Sequence, residues 1–171
     1  MERVILLGCG GAGKSTMARQ LGEITGLPVV HLDKLYWREN WTPLSNEEFD
    51  ELQLSELQKE RWILDGNFGR TLQWRLDRCD TIIYLDYPRW QCVLGVLKRI
   101  LTTYGRTRPD MGPGCKERFD WEFLCWVWNF NRDKRERFYR MIEETKHANA
   151  IILRNRKEGK RFLNALKNPS V

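Results

Sequence analysis

The stretch LLGCGGAGKST, residues 6–16, decides how the rest of the chain is read. Ordering a glycine costs more backbone entropy than ordering any other residue, so the crowding of Gly8, Gly10, Gly11 and Gly13 needs a geometric purpose. An apolar run, Val4-Ile5-Leu6-Leu7, precedes them and has the character of a strand buried on both faces. A helix is predicted over 14–25, closed by Gly26 and then Pro28. Strand, glycine turn and helix in that order point backbone N–H groups and a helix N-terminus at one spot, which favours an anion there.

Residues 8–15 match G-x-x-x-x-G-K-[ST], the P-loop, in the strand–turn–helix context the motif requires. Gly8, Gly10, Gly11, Ala12 and Gly13 are expected to turn their amides towards phosphate oxygens. Lys14 is expected to reach the β- and γ-phosphates, Ser15 to offer its hydroxyl to Mg²⁺, and Thr16 to touch the α-phosphate. The expected cofactors are ATP and Mg²⁺. The chain has no N-K-x-D motif and no D-x-x-G after its third strand, which argues against a GTPase switch.

Outward from the motif, short apolar strands alternate with helices. A second strand over 29–32 ends at Asp33, followed by the irregular aromatic stretch KLYWRENWTP. Ser45 and Glu48 form a capping box for a helix running to about residue 59, with Leu44 and Phe49 as its hydrophobic staple. A third strand, 62–64, stops at Asp65-Gly66, and a short helix covers 70–78. A fourth strand, 81–85, ends at Asp86 and Pro88, and 89–103 is helical. Residues 103–117 are rich in Gly, Pro and Arg and read as a mobile loop. A long helix over 118–145, a fifth strand over 150–153 and a helix over 156–167 complete the chain. The pattern is α/β: a five-stranded parallel sheet with helices on both faces. Alternation is interrupted at 33–60 and 103–117, beyond the carboxyl ends of strands, where open sheets of this kind bind ligands.

The 171 residues fit one domain. Hydrophobic residues make up 42 % and charged residues 30 %, the balance of a globular protein. No apolar run approaches the roughly 20 residues of a membrane span. MERVILL has too short an apolar core for a signal peptide and reads as the first strand, so a cytoplasmic location is expected. Five scattered cysteines without a C-x-x-C pair, and only two histidines, argue against disulfides or a structural zinc site. The net charge of +6 favours an anionic partner. Residues 154–167 concentrate it, with six basic residues against one acid, as a solvated basic helix or a nucleic-acid contact.

WILDGNFGRT, 62–71, places Asp65 at a strand end beside the P-loop, where a carboxylate orders the water shell of Mg²⁺. FDWEFLCWVWNF, 119–130, carries Phe119, Phe123, Trp126 and Phe130 on one helical face, expected to pack on the sheet. Trp121 and Trp128 fall on the other side.

These blocks resemble nucleoside monophosphate kinases such as adenylate kinase. A closer resemblance is to the bacterial DNA topology modulation proteins of FlaR type, carried by GLPVVHLDKLYW, WILDGNF, GRTRPDMGPGC and EFLCWVWNF over nearly the whole chain. The resemblance implies a single kinase-like domain over 1–171. Its core would be 1–32, 61–102 and 118–171, with an acceptor-binding insertion at about 33–60 and a lid at about 103–117. It implies transfer of the ATP γ-phosphate to a small acceptor, a nucleotide or nucleoside. Lys14, Asp33, Arg99, Arg106 and Arg108 would carry the chemistry, with Arg106 and Arg108 on the lid and Arg99 on the helix entering it. Asp33, Tyr36, Trp37, Arg70 and Arg75 would meet the acceptor, joined by Trp41, and Ser15 with Asp65 would hold the metal. Arg70 sits one residue later than the phosphate-binding arginine of adenylate kinases. Gly95 stands where they commonly carry an adenine-stacking arginine. The lid has only Cys115, so lid-bound zinc is not expected. The alternative from a different class is a nucleic-acid-associated P-loop ATPase, using the basic segment 154–167, although no helix-turn-helix or zinc finger is present.

Overall fold

The computed structural model describes residues 1–168. Strands β1 (Arg3–Gly8), β2 (Val29–His31), β5 (Trp62–Asp65), β6 (Thr81–Leu85) and β7 (Asn149–Leu153) form one sheet in the order β2-β5-β1-β6-β7. Every pairing in it is parallel. The hairpin β3 (Trp37–Arg38) and β4 (Thr42–Pro43) stands apart. Helices are α1 (Lys14–Thr25), α2 (Leu32–Tyr36), α3 (Asn46–Leu57), α4 (Leu72–Leu76), α5 (Arg89–Thr103), α6 (Trp121–Glu144) and α7 (Arg156–Lys167), with a 3₁₀ turn at Glu39–Trp41.

The central strands are apolar along their length because both faces are covered. Val4, Ile5, Leu6 and Leu7 of β1, Ile63 and Leu64 of β5, and Ile82 and Ile83 of β6 have no exposed surface. The sheet therefore matches the expected five-stranded parallel arrangement, and its order puts β1 in the centre. The P-loop at the carboxyl end of β1 is thereby flanked by the ends of β5 and β6.

Three local expectations shift. The second strand ends at His31, so Asp33 sits in the first turn of α2 and not on the strand. The segment read as irregular is α2 followed by the β3–β4 hairpin, turning through Asn40 and Trp41, both at positive φ. Helix α6 begins at Trp121, with the Asp120 side chain accepting from the Phe123 amide at 2.9 Å, so Phe119 precedes the helix. Its core-facing stripe is Leu124, Val127, Phe130, Phe138 and Ile142, while Phe119 (56 % exposed) and Trp126 (41 % exposed) stand out of the core. The capping box of α3 is present, with Ser45 and Glu48 each serving the other's backbone, and Leu44 and Phe49 are both buried.

Loop 103–117 is bound into the structure at several points. Tyr104 and Thr107 bridge Glu117 and Lys116. The Cys115 thiol donates to the Arg38 carbonyl at 3.2 Å and the Trp41 indole N–H donates to the Lys116 carbonyl at 3.2 Å. Gly112 lies so close to Trp37 that a Cβ on it would come within 1.7 Å of the Trp37 carbonyl oxygen. The loop and the β3–β4 hairpin thus form one continuous wall.

Candidate active site

A cleft of about 980 Å³ opens at the carboxyl end of the sheet, between the P-loop, the β3–β4 hairpin and loop 103–117. Clefts of this size hold small molecules. Its floor is the P-loop. Gly11 and Gly13 have φ of 75° and 97°, a region only glycine enters freely. Gly13 caps α1, and among the described residues no side chain bonds to that helix end and no acid lies in its first turn. Its amides are left for an anion. Lys14 turns its Nζ back to the carbonyls of Gly8 and Cys9, at 2.9 and 3.1 Å. Gly10, Gly11, Gly13, Lys14, Ser15 and Thr16 line the cleft. Gly8 and the buried Ala12 lie behind them as scaffold. A Cβ at Gly8 would meet the Leu85 carbonyl oxygen at 2.7 Å.

Ser15 lines the cleft, and Asp65, outside the lining itself, approaches the Ser15 hydroxyl. Asp65 is buried, and its Oδ2 lies 2.9 Å from His31 Nδ1. Burial raises its pKa, but the His31 ring, the Lys14 ammonium and the Ser15 hydroxyl outweigh that and hold it below the ordinary value. Its Oδ1 is buried without a hydrogen-bond partner. An orphaned carboxylate oxygen beside a P-loop serine suits a hydrated divalent cation, and the described residues contain no cluster of three or more acidic, His or Cys side chains that would cage one alone.

Asp33 also lines the cleft, within reach of the Asp65 charge. Burial, then the negative charge of Asp65, raises its pKa above the ordinary value against the pull of Lys14 and Arg108. Trp37, Trp41 and Phe68 also wall the cleft. Tyr36 does not line it. Its ring packs edge-on against Trp37, Phe49 and Phe68, with centroids 4.9–5.1 Å away.

Arg99 and Arg108 face the cleft within a chain of alternating charge. Arg99 reaches Glu117 at 2.9 Å, Glu117 reaches Arg108 at 3.0 Å, and Arg108 reaches Asp110 at 2.8 Å. Arg19 of α1 ends the chain, 3.7 Å from Asp110. Burial and the neighbouring Arg108 lower the pKa of Arg99. Arg106 is exposed and lies outside the cleft lining.

The two remaining expected arginines are elsewhere. Arg70 lies on the surface as a bidentate partner of Asp50. Arg75 has no exposed surface and donates to the carbonyls of Gly66, Asn67 and Phe68, holding the turn after β5. Burial pushes its pKa down to about 9. Arg70 is thus taken up by Asp50, and Arg75, on α4, by the turn after β5, so neither lines the cleft.

Asn67 and Arg156, both lining the cleft, escaped the sequence reading, while Gly95 gains a structural reason. Asn67 pins the P-loop by donating to the Gly8 carbonyl at 2.9 Å and accepting from the Gly8 amide at 3.2 Å. Gly95 explains its own identity: a Cβ there would lie 2.1 Å from the Gly11 carbonyl oxygen and 2.5 Å from Arg156 Nη2. Helix α5 presses its backbone on the P-loop at that point, and the guanidinium of Arg156 lies over it, donating to Gly11 and Gln91 carbonyls at 2.9 and 3.3 Å. The basic segment thus turns one of its cations inward. Only the one-residue spacing of WILDGN could have flagged Asn67; Arg156 carried no signal beyond its charge.

No family model matches the chain, and no curated protein matches it significantly. Among solved structures it is similar to a shikimate kinase from Acinetobacter baumannii in complex with shikimate, with a TM-score of 0.58 at 15 % identity over 99 % of this chain and 92 % of that one. It is also similar to a gluconokinase from Sinorhizobium meliloti 1021, with a TM-score of 0.54 at 12 % identity over 98 % of this chain and 94 % of that one. At such identities the likeness is one of fold, and the fold is the α/β P-loop kinase fold. No helix among the described residues is long and apolar enough to cross a membrane.

Proposed function

We propose that the protein is an ATP-dependent phosphotransferase acting on the hydroxyl of a small acceptor, a nucleoside or nucleotide in the reading its resemblance to adenylate kinase-related proteins implies. One observation carries this: Lys14, Ser15, Asp33, Arg99 and Arg108 line a single cleft around an uncapped helix N-terminus. In this reading the P-loop amides and Lys14 hold the triphosphate. Arg99 and Arg108 exchange their carboxylate partners for equatorial phosphate oxygens, where charge spreads in the transition state. Ser15, and Asp65 through ordered water, would hold Mg²⁺, which would supply positive charge against the phosphate oxygens.

The acceptor hydroxyl lies on Asp33. Its oxygen forms a bond to the γ-phosphorus as the bond to the β–γ bridging oxygen breaks. ADP leaves with that electron pair, and the hydroxyl proton passes to the Asp33 carboxylate. The raised pKa of Asp33 suits it to take that proton. Loop 103–117, tied to the β3–β4 hairpin, excludes water, as a lid does.

The test is ADP release from Mg-ATP with nucleosides, nucleotides and hydroxylated metabolites, with Lys14→Ala as control. One acceptor should raise turnover well above the acceptor-free rate, and Lys14→Ala should lower it by about 10²–10³-fold. Stimulation by duplex DNA alone would instead support the nucleic-acid-associated ATPase. The exposed Trp128, with Arg89 stacked on it at 4.4 Å, would then be the first surface to mutate.

A further inference from the structure

We infer that the acceptor is an uncharged, ring-bearing alcohol of nucleoside type, and not a phosphate ester or a carboxylic acid. This rests on the phosphotransfer reading and narrows it. A kinase that binds an anionic acceptor needs cations at the acceptor end of the cleft beyond those that hold the triphosphate. Arg70 and Arg75, the two that the chain order offers, are committed elsewhere: one to Asp50 on the surface, the other to backbone carbonyls of the turn after β5. Arg38 on the hairpin is exposed and pairs with Glu48 at 2.6 Å.

What remains near Asp33 is the ion chain. It contains three arginines and two acids. Once Arg99 and Arg108 turn to phosphate, Asp110 and Glu117 lose their partners, and Arg19 alone faces them. With Asp33 added, three buried or half-buried carboxylates then face the one guanidinium of Arg19, and two other cations of the lining, Lys98 and Arg118, are both exposed to solvent. Arg118 stands at the rim, its guanidinium 5.7 Å from the centroid of the Trp41 ring and exposed to solvent. A second anion beside these carboxylates meets like charge, which selects against it.

The walls say what replaces charge. Trp37 and Trp41 meet edge-to-face at 5.6 Å, and both line the cleft with Phe68 and Met111. Aromatic faces and a thioether bind a flat or puckered ring through its apolar surface. Asp33 accepts the hydrogen bond of one ring-borne hydroxyl. Nothing in that set needs the ligand to carry a charge, and the unbalanced carboxylates penalise a negative one.

The experiment uses matched pairs differing only in charge: nucleosides against their 5′-monophosphates, and methyl shikimate against shikimate. Each is assayed for phosphorylation by Mg-ATP and for binding by calorimetry in the presence of a non-hydrolysable ATP analogue. The uncharged member of at least one pair is expected to have a kcat/KM at least tenfold above its anionic counterpart. Asp110→Asn, which removes one of the carboxylates, should narrow that ratio. Preference for the anionic member overturns the inference and leaves the kinase reading standing. Failure of every pair either to bind or to be phosphorylated, with the ATP analogue still bound, removes the phosphotransfer reading and the inference with it.

Discussion

Replacing Gly95 by alanine should invert the usual rule for glycine in a helix. In an unconstrained helix interior, Gly→Ala stabilises by about 1 kcal/mol. Gly95 lies in the middle of α5, and its new Cβ would fall 2.1 Å from the Gly11 carbonyl oxygen and 3.0 Å from the Gly11 carbonyl carbon. A relaxed carbon–oxygen contact lies near ~3.3 Å, so α5 and the P-loop must part by roughly 1 Å. The third neighbour, Arg156 Nη2 at 2.5 Å, is the end of a flexible side chain and can swing away; the Gly11 backbone cannot. Gly11 is already in the left-handed region, and a Cβ on it would come within 2.2 Å of the Cys92 carbonyl oxygen, so the loop is clamped by α5 at two points. Overpacking of this kind costs about 1–3 kcal/mol. Set against the helix gain, the variant should be less stable by about 1 kcal/mol. The displaced group is part of the phosphate cradle, so ATP affinity should fall roughly tenfold, equivalent to about 1.4 kcal/mol. Urea unfolding gives the first quantity and calorimetric titration with Mg-ATP the second. A Gly95→Ala protein as stable as the parent, with unchanged ATP affinity, would refute the claim that α5 clamps the P-loop through this glycine.

Asp33→Asn should stabilise the protein at pH 7 while removing acceptor phosphorylation. The folded-state pKa of Asp33 is raised, so the native state binds its proton more tightly than the unfolded chain. Stability from this group is therefore complete below the ordinary value of 3.8 and lost as pH rises through the raised value. The stability gap between variant and parent should close on acidification; equal melting temperatures at pH 7 would contradict it. Arg75→Met should cost about 3 kcal/mol, because three buried carbonyls lose a charged donor, yet should leave the acceptor KM of the folded fraction unchanged. A raised KM at undiminished stability would return Arg75 to the acceptor site. Gly112→Ala should unhook loop 103–117 from Trp37 and speed the reaction of the buried Cys115 with a thiol reagent, which labelling rates will show.

Local features of the chain were legible because local forces decide them. The phosphate cradle needs glycines, a lysine and a helix start within one turn, and LLGCGGAGKST holds all three. The capping box Ser45–Glu48 and the apolar strands needed only near neighbours, as did the ends of the predicted helices to within a few residues, whereas the short helix α2 went unread. Asp33, Asp65 and Ser15 could be placed together because parallel strands in a sheet of this kind end on one edge. Aromatic residues 119–130 were less legible: helical periodicity gives a face, but the true start at Trp121 and the tilt of α6 decide that Trp126 is in the cleft and not in the core.

The fate of each arginine was decided only in three dimensions. Arg70, Arg75, Arg99, Arg106 and Arg108 look alike in sequence, and a guanidinium goes to whichever carboxylate, carbonyl or open cleft the fold brings within reach. Asp50 claims one, the carbonyls of residues 66–68 claim another, and Glu117 and Asp110 hold two in the cleft. Gly95 is the same lesson in reverse. In the sequence it is a missing arginine; in the fold it is the one residue small enough to let α5 rest on the P-loop, with Arg156 brought over it from a helix more than fifty residues away. Sequence by itself determined the class of fold and the glycine-rich floor of the cleft, because those depend on backbone geometry. Tertiary structure alone determined the charge balance of the cleft, because long-range pairing sets which charges remain free.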